Sequence, residues 1–288
     1  MIGLYTAEEV RAAEEPLLAA TPEGTLMQRA AAGLATVCVR LLGPVYGRRV
    51  VLLVGSGNNG GDALFAGARL AGRGARVTAV LLAPDRAHAA GLAALRRAGG
   101  RALPAGESVV AALVGRADLV LDGMLGIGGR GGLREGAAAL ARAAAEGAGI
   151  TVAVDVPSGI DASTGGVDGV AFPAMHTVTF GAVKRGLVVG EGRGCAGQVH
   201  LVDIGLDLPP ATTWQLADAD VAARLEPPSA GDDKYSQGVV GVLAGSAAYP
   251  GAGVLCTGAA LRTRPGLVRY AGTAADGVRA AWPEAIVT

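Results

Sequence analysis

An α/β fold with a mostly parallel, doubly wound sheet is predicted by three features of this sequence. Residues 50–54 (VVLLV) form a short, uncharged, largely β-branched run that empties into the glycine-rich stretch 55–62 (GSGNNGGD), the pattern of a buried strand passing through a loop into a helix. Apolar runs recur at 76–82, 118–122 and 150–155, alternating with the helical stretches 63–72, 87–98 and 135–146, and this alternation reads as successive βαβ units. The strands at 118–122 and 150–155 each end in a carboxylate, Asp122 and Asp155. In such sheets the ligand sits outside the carboxyl ends of the strands, near the switch in strand order.

Taken in order, Thr6 is placed to cap a helix whose first turn carries Glu8 and Glu9, where carboxylates suit the positive end of the dipole. Residues 26–42 read as a second helix, rich in alanine and valine, suited to covering a sheet or a partner subunit. Three loops then converge on the strand ends. In the first, Gly55, Gly57 and Gly60 fit G-x-G-x-x-G, with Asn58, Asn59 and Asp62 among them. The second, 122–132 (DGMLGIGGRGG), carries Arg130 as a phosphate partner. In the third, 155–161 (DVPSGID), Pro157 fixes the turn while Asp155, Ser158 and Asp161 supply oxygens. Residues 177–180 and 199–202 read as further strands, and Lys184 between them defaults to the solvent surface unless it faces a phosphate or a proton-transfer step. From 208 to 238 prolines and small polar residues mark a boundary, after which 239–244 reads as a strand, 245–253 as a loop and the stretch from there to Leu261 as a helix.

Composition narrows the function classes. The 51% hydrophobic content supplies a sizeable core, and 25 basic residues balance 25 acidic ones, which argues against nucleic acid or an anionic membrane as the main partner. Cys38, Cys195 and Cys256 are too scattered for a disulfide framework and read as reduced, buried thiols. The N-terminal residues lack a leader pattern, and no stretch holds the roughly 20 apolar residues of a membrane helix. A cytoplasmic protein is expected.

The residue types argue against two chemistries. His88, His176 and His200 are isolated from one another and share no zinc spacing with the cysteines. Ser158 stands in P-S-G, outside a nucleophile elbow. A dinucleotide dehydrogenase explains the glycines and would use Asp85 on the ribose, but leaves Asn58, Asn59, Asp62, Asp122 and Ser158 without a task. Side-chain oxygens from three loops fit a hard cation beside a phosphorylated ligand.

The motifs GSGNNGGDALFAGARL, LVLDGMLGIGGRG, AVDVPSGIDASTG and TVTFGAVKRGLVVG, in this order over about residues 5–208, resemble those of NAD(P)H-hydrate epimerases, the YjeF N-terminal domain. The resemblance implies a Rossmann-like three-layer sandwich, a homodimer, a potassium ion, and an isomerase that interconverts the R and S forms of hydrated NADH or NADPH. Carried over by motif, Asn59, Asp122 and Ser158 are potassium ligands. Asn58, Asn59, Gly60, Gly61, Asp62, Gly126, Ile127, Gly128, Gly129, Arg130, Gly131, Gly132 and Asp155 contact the hydrated nucleotide. Ile127 replaces a family threonine, which puts one ligand contact in doubt. Because the reacting C6 carbon is a hemiaminal, epimer exchange needs a proton donor and acceptor; Asp155 is the first candidate and Lys184 the second. A turn-capping role for Asp155 is the structural alternative. A non-catalytic scaffold module and a dehydrogenase stay open as alternative functions.

The tail, DKYSQGVVGVLAGSAAYPGAGVLCTGAALRTRPGLV, resembles the opening of an ADP-dependent NAD(P)H-hydrate dehydratase, a ribokinase-like domain. Residues 1–212 are therefore expected to be the epimerase domain and 213–288 a partial dehydratase domain. No lyase activity is expected from so short a segment, the partner activity being missing or supplied elsewhere.

Overall fold

The computed structural model describes residues 1–106, 109–129, 131–225 and 227–288. It divides into two compact units, Met1–Ala217 and Asp218–Thr288.

In the first unit the elements are β1 (Ile2–Tyr5), α1 (Ala7–Ala20), α2 (Thr25–Leu42), β2 (Arg49–Val54), α3 (Asn58–Ala71), β3 (Arg76–Leu81), α4 (Ala89–Arg97), β4 (Arg101–Pro104), α5 (Val110–Gly115), β5 (Leu119–Gly123), α6 (Glu135–Glu146), β6 (Ile150–Val154), β7 (His176–Phe180), β8 (Val183–Lys184), α7 (Gly192–Ala196), β9 (Gln198–Val202) and β10 (Thr213–Gln215). Seven strands form one sheet in the order β4-β3-β2-β5-β6-β7-β9, and every neighbouring pair is parallel. The sheet is thus wholly parallel, a step beyond the mostly parallel expectation. Its order reverses between β2 and β5, which places the ligand crevice at their carboxyl ends.

Strand alternation explains the layers. Val50, Leu52 and Val54 of β2 pack with α2 and α3 on one face, while Val51 and Leu53 pack with α5 and α6 on the other, so the central strands are apolar throughout. Gly33 of α2 lies where any side chain would strike Val202 of β9, letting that helix sit close on the sheet. A small second sheet, β10-β1-β8, joins the chain start to Val183–Lys184. Because Thr213–Gln215 pairs with residues 2–4, the compact unit runs to Ala217, beyond residue 212.

α1 opens on a capping box: the Thr6 hydroxyl accepts from Glu9 N at 3.2 Å and Glu9 Oε2 accepts from Thr6 N at 2.7 Å.

The second unit holds α8 (Asp218–Ala222), β11 (Val239–Val242), α9 (Gly251–Arg262), β12 (Leu267–Tyr270), α10 (Ala275–Ala281) and β13 (Ile286–Val287). Its three strands are parallel, in the order β11-β12-β13. Tyr270 is fully buried there, its hydroxyl donating to Ala244 O at 2.7 Å and accepting from Ala274 N. No described helix is long and apolar enough to cross a membrane.

Candidate active site

The stretch 58–62, expected as loop, is the opening of α3. Gly57 takes extended backbone at the cap (φ −98°, ψ −174°) and the helix starts at Asn58. A Cβ on Gly55 would collide with the Met124 carbonyl oxygen, and one on Gly60 with the Gly55 carbonyl; both glycines therefore serve close backbone approach. A Cβ on Gly57 would meet nothing within 4 Å, so the amide-bearing end of α3 is open to an anion.

Next to it lies a cluster of oxygens. Asp122, at the end of β5, is fully buried, and its Oδ2 accepts from Ser158 N at 2.8 Å. Its Oδ1 accepts from the Ser158 hydroxyl at 2.6 Å and from Met124 N at 3.2 Å. The Ser158 hydroxyl in turn accepts from Leu125 N at 2.8 Å, and Asn59 Nδ2 donates to Leu125 O at 2.9 Å. Thus Asn59, Asp122 and Ser158 gather around one backbone bend. Burial pushes the Asp122 carboxyl up to about 6, against the pull of its bonds from Ser158 and Met124.

After the carboxyl end of β6, Asp155 forms a buried ion pair with Lys184 of β8, 2.5 Å between Oδ1 and Nζ. Lys184 is 1% exposed, so it is not the surface lysine its isolation implied; its ammonium also donates to Phe180 O at 2.8 Å and Thr179 Oγ1 at 3.2 Å. The bonds to Asp155 from Lys184, Thr179 and Phe180 N all land on Oδ1. Its Oδ2 has no hydrogen bond among the described residues. Asp155 does not cap the Ser158 turn, a task Asp122 performs. Its backbone sits at φ +65°, a left-handed conformation that costs a non-glycine residue about 1 kcal/mol or more.

The N-terminal arm completes the site. β1 pairs with β8, Tyr5 standing opposite Lys184. Arg11 of α1 donates to Ile127 O at 2.9 Å in the second glycine loop. Glu14, half-buried on the same helix, is pushed up first by burial and then by the negative Asp155, against Lys184 and Arg11. Asp62 is raised well above the usual carboxylate range by burial, then by Asp155 and Glu14, with Lys184 opposing. Its Oδ1 is buried with no hydrogen-bond partner among the described residues. Three carboxyl groups, Glu14, Asp62 and Asp155, therefore share the field of one ammonium. Sequence reading missed Glu14 and Arg11; the capping box before α1 locates the helix but not its docking onto the second loop.

Of the other expected contacts, Asn58 is exposed while Gly60 and Gly61 are buried. A Cβ on Gly126 would press on the Asn59 side chain, and one on Gly132 would strike Asp168 O, so these two glycines pack the loop. Ile127 packs on the arm beside Tyr5 and Ala7. Gly128 and Gly129 lie on the same loop, Gly131 adopts φ +72°, and Arg130 lies outside the described residues. Asp85 is exposed in a 3-10 turn after β3. His88 caps α4 by accepting from Gly91 N, and His176 and His200 hydrogen-bond to each other. Of the cysteines only Cys38 is buried; Cys195 is intermediate and Cys256 exposed.

Residues 23–186 match the family model described as YjeF-related protein N-terminus. The chain belongs to this family. Among YjeF-related relatives, it is 52% identical over 99% of its length to the bifunctional NAD(P)H-hydrate repair enzyme Nnr of Mycobacterium tuberculosis, of which it spans 59%. It is 48% identical to the NAD(P)H-hydrate epimerase of Clavibacter michiganensis, over 72% of this chain and 93% of that one. The chain thus spans about three fifths of its bifunctional relatives and nearly the whole of a stand-alone one. The crystal structure of yeast ynu0 shares the fold, with a TM-score of 0.59 over 69% of this chain and 87% of that one at 18% identity.

Proposed function

We propose that Met1–Ala217 is an NAD(P)H-hydrate epimerase, an isomerase exchanging the R and S configurations at C6 of hydrated NADH and NADPH. The observation that carries this reading is the Asp155 carboxylate: one oxygen is held by Lys184, Thr179 and Phe180 N, and the other makes no hydrogen bond among the described residues. At a hemiaminal carbon, epimer exchange breaks and re-forms either the C6–O bond, the hydroxyl leaving as water once protonated, or the C6–N bond, the hydroxyl proton being removed as the ring nitrogen is protonated. Each route needs a proton donor and acceptor at C6. A positioned carboxylate supplies this at roughly 10²- to 10⁴-fold. Asp155 Oδ2 takes and returns that proton, while Lys184 fixes the carboxylate through Oδ1. The open end of α3 receives phosphate. Asp62, whose carboxyl is raised by burial and by its carboxylate neighbours, is placed to hydrogen-bond the substrate.

The oxygen set fits a potassium ion. Asp122 is fully buried and makes no ion pair among the described residues, and burial outweighs its three hydrogen bonds, raising the carboxyl to about 6, so a cation would offset the part of the desolvation cost that those bonds leave. Asn59, whose amide nitrogen is engaged by Leu125 O and whose oxygen is therefore turned away from that carbonyl, would hold the ion with Asp122 and Ser158. Bound there, the ion offsets the Asp122 charge beside the phosphate loop. A homodimer in the cytoplasm belongs to the same reading, as does Asp218–Thr288 as the opening of a dehydratase-type domain. The latter is supported by a bifunctional relative that matches 99% of the chain.

The test is to mix the protein with purified S or R hydrated NADPH and follow the epimer ratio chromatographically, with potassium and without. Exchange no faster than the spontaneous process overturns the assignment.

A further inference from the structure

At the end of the sheet opposite the crevice, three neighbouring strands open with arginine. Arg49 of β2 is the direct parallel partner of Arg76 of β3, and Arg101 of β4 is paired with Thr78, two residues along β3. Strand alternation places Arg49, Arg76, Thr78 and Arg101 on one face of the sheet, the face of Val51 and Val80. That face is covered over β5 and β6 by the 12-residue α6, but near these strands only by the six-residue α5. The gap is a cavity of about 800 Å³ lined by the three arginines, by Arg116 after α5, and by Val51 and Leu113.

Like charges on directly opposed strand positions destabilise a sheet. Asp118 answers one of them, at 3.3 Å from Arg49 Nε. Arg76, Arg101 and Arg116 make no ion pair among the described residues. A guanidinium fork binds phosphate oxygens in pairs, and three forks around one cavity suit several phosphates. The volume is that of a small-molecule pocket, and the accessible apolar surface of Val109 and Leu113 on the same lining suits a flat apolar group. The six-residue β2 separates this end from the glycine loop by roughly 17 Å.

We propose that this groove is a second ligand site, for a phosphorylated small molecule of nucleotide size, its phosphates on Arg76, Arg101 and Arg116 and its base over Val109 and Leu113. The balanced overall charge and the limited volume of the cavity favour such a molecule over a nucleic-acid strand.

The test is calorimetric titration of the full chain with ATP and with tripolyphosphate at near-physiological salt. ATP is expected to bind saturably, and tripolyphosphate more weakly because it lacks the flat group. The paired substitution Arg76→Ala and Arg101→Ala is expected to weaken both by at least about tenfold, two charge-assisted contacts being lost, while epimer exchange is unchanged. Wild-type affinity in the paired variant overturns the site, because the phosphate loop of α3 would then be the binder. Absence of saturable ATP binding, or binding confined to a single-stranded RNA oligomer, also overturns it. Equal affinity for the two ligands overturns the nucleotide assignment.

Discussion

Lys184 Nζ stands 2.5 Å from Asp155 Oδ1, with both side chains withdrawn from solvent at the end of the parallel sheet. A buried ion pair contributes little net stability, but removing one partner strands a charge and costs about 3–5 kcal/mol. Asp155→Asn, which tolerates the same left-handed backbone, is therefore expected to lower the urea midpoint and to slow epimer exchange by about 10²-fold or more. Adding Lys184→Met to that variant removes the stranded ammonium and should recover much of the stability but none of the rate. A double variant less stable than Asp155→Asn alone would contradict this account of the pair, and full activity in Asp155→Asn would remove its proton-transfer role.

Ser158 links two loops through one hydroxyl, donating to Asp122 and accepting from Leu125 N. Ser158→Ala leaves a buried carboxylate oxygen and a backbone donor each short of a partner, at about 1–3 kcal/mol per group. It is also expected to abolish any stabilisation by potassium over sodium, measured as a shift in thermal midpoint. An unchanged potassium response in Ser158→Ala would remove the hydroxyl from the ion site.

Much of this site was readable because glycines and carboxylates at strand ends have few other uses. Gly55 and Gly60 announced a tight strand-to-helix passage, and Asp122 and Asp155 marked the strand ends that face it. What the sequence hid has physical causes. β4 (RALP) has no apolar run because it is an edge strand. Asn58, Asn59 and Asp62 read as loop because asparagine, glycine and aspartate favour turns, yet α3 takes them into its opening turns, where packing outweighs propensity. Lys184 defaults to the surface in the sequence, with proton transfer as its second reading, since nothing local reveals a burial created by pairing with a residue 29 positions away. Glu14 and Arg11 belong to a helix whose docking depends on the β1–β8 pairing, a contact spanning almost 180 residues.

Asp62 gives the site a pH signature. Its folded carboxyl is raised above the unfolded value, chiefly by burial, so above about pH 4 the folded state holds a proton that the unfolded state has released. Stability from this group is present at low pH and is lost as pH rises through the folded value. Asp62→Asn cannot ionise, and should resist urea better than wild type at alkaline pH while the two converge in acid. A stability gap between them that is independent of pH would show that the carboxyl ionises as freely folded as unfolded.

His176 and His200 act with the opposite sign. Their rings are hydrogen-bonded at 3.1 Å between neighbouring strands β7 and β9, and burial lowers both, with the charges of His176 and Arg40 adding to the effect on His200. Below the unfolded value of about 6.5 the unfolded chain binds protons that the folded pair refuses, so stability falls as pH drops through that range. Asp122, whose carboxyl is raised to about 6, gains over the same range, which makes the informative quantity the difference between proteins. The paired variant His176→Asn and His200→Gln is expected to be no better than wild type at pH near 8 and to gain on it steadily from about pH 7 to about pH 5.5, as neutral amides have no proton to bind. Urea midpoints across that series check it, and parallel curves would place the stability change at other groups.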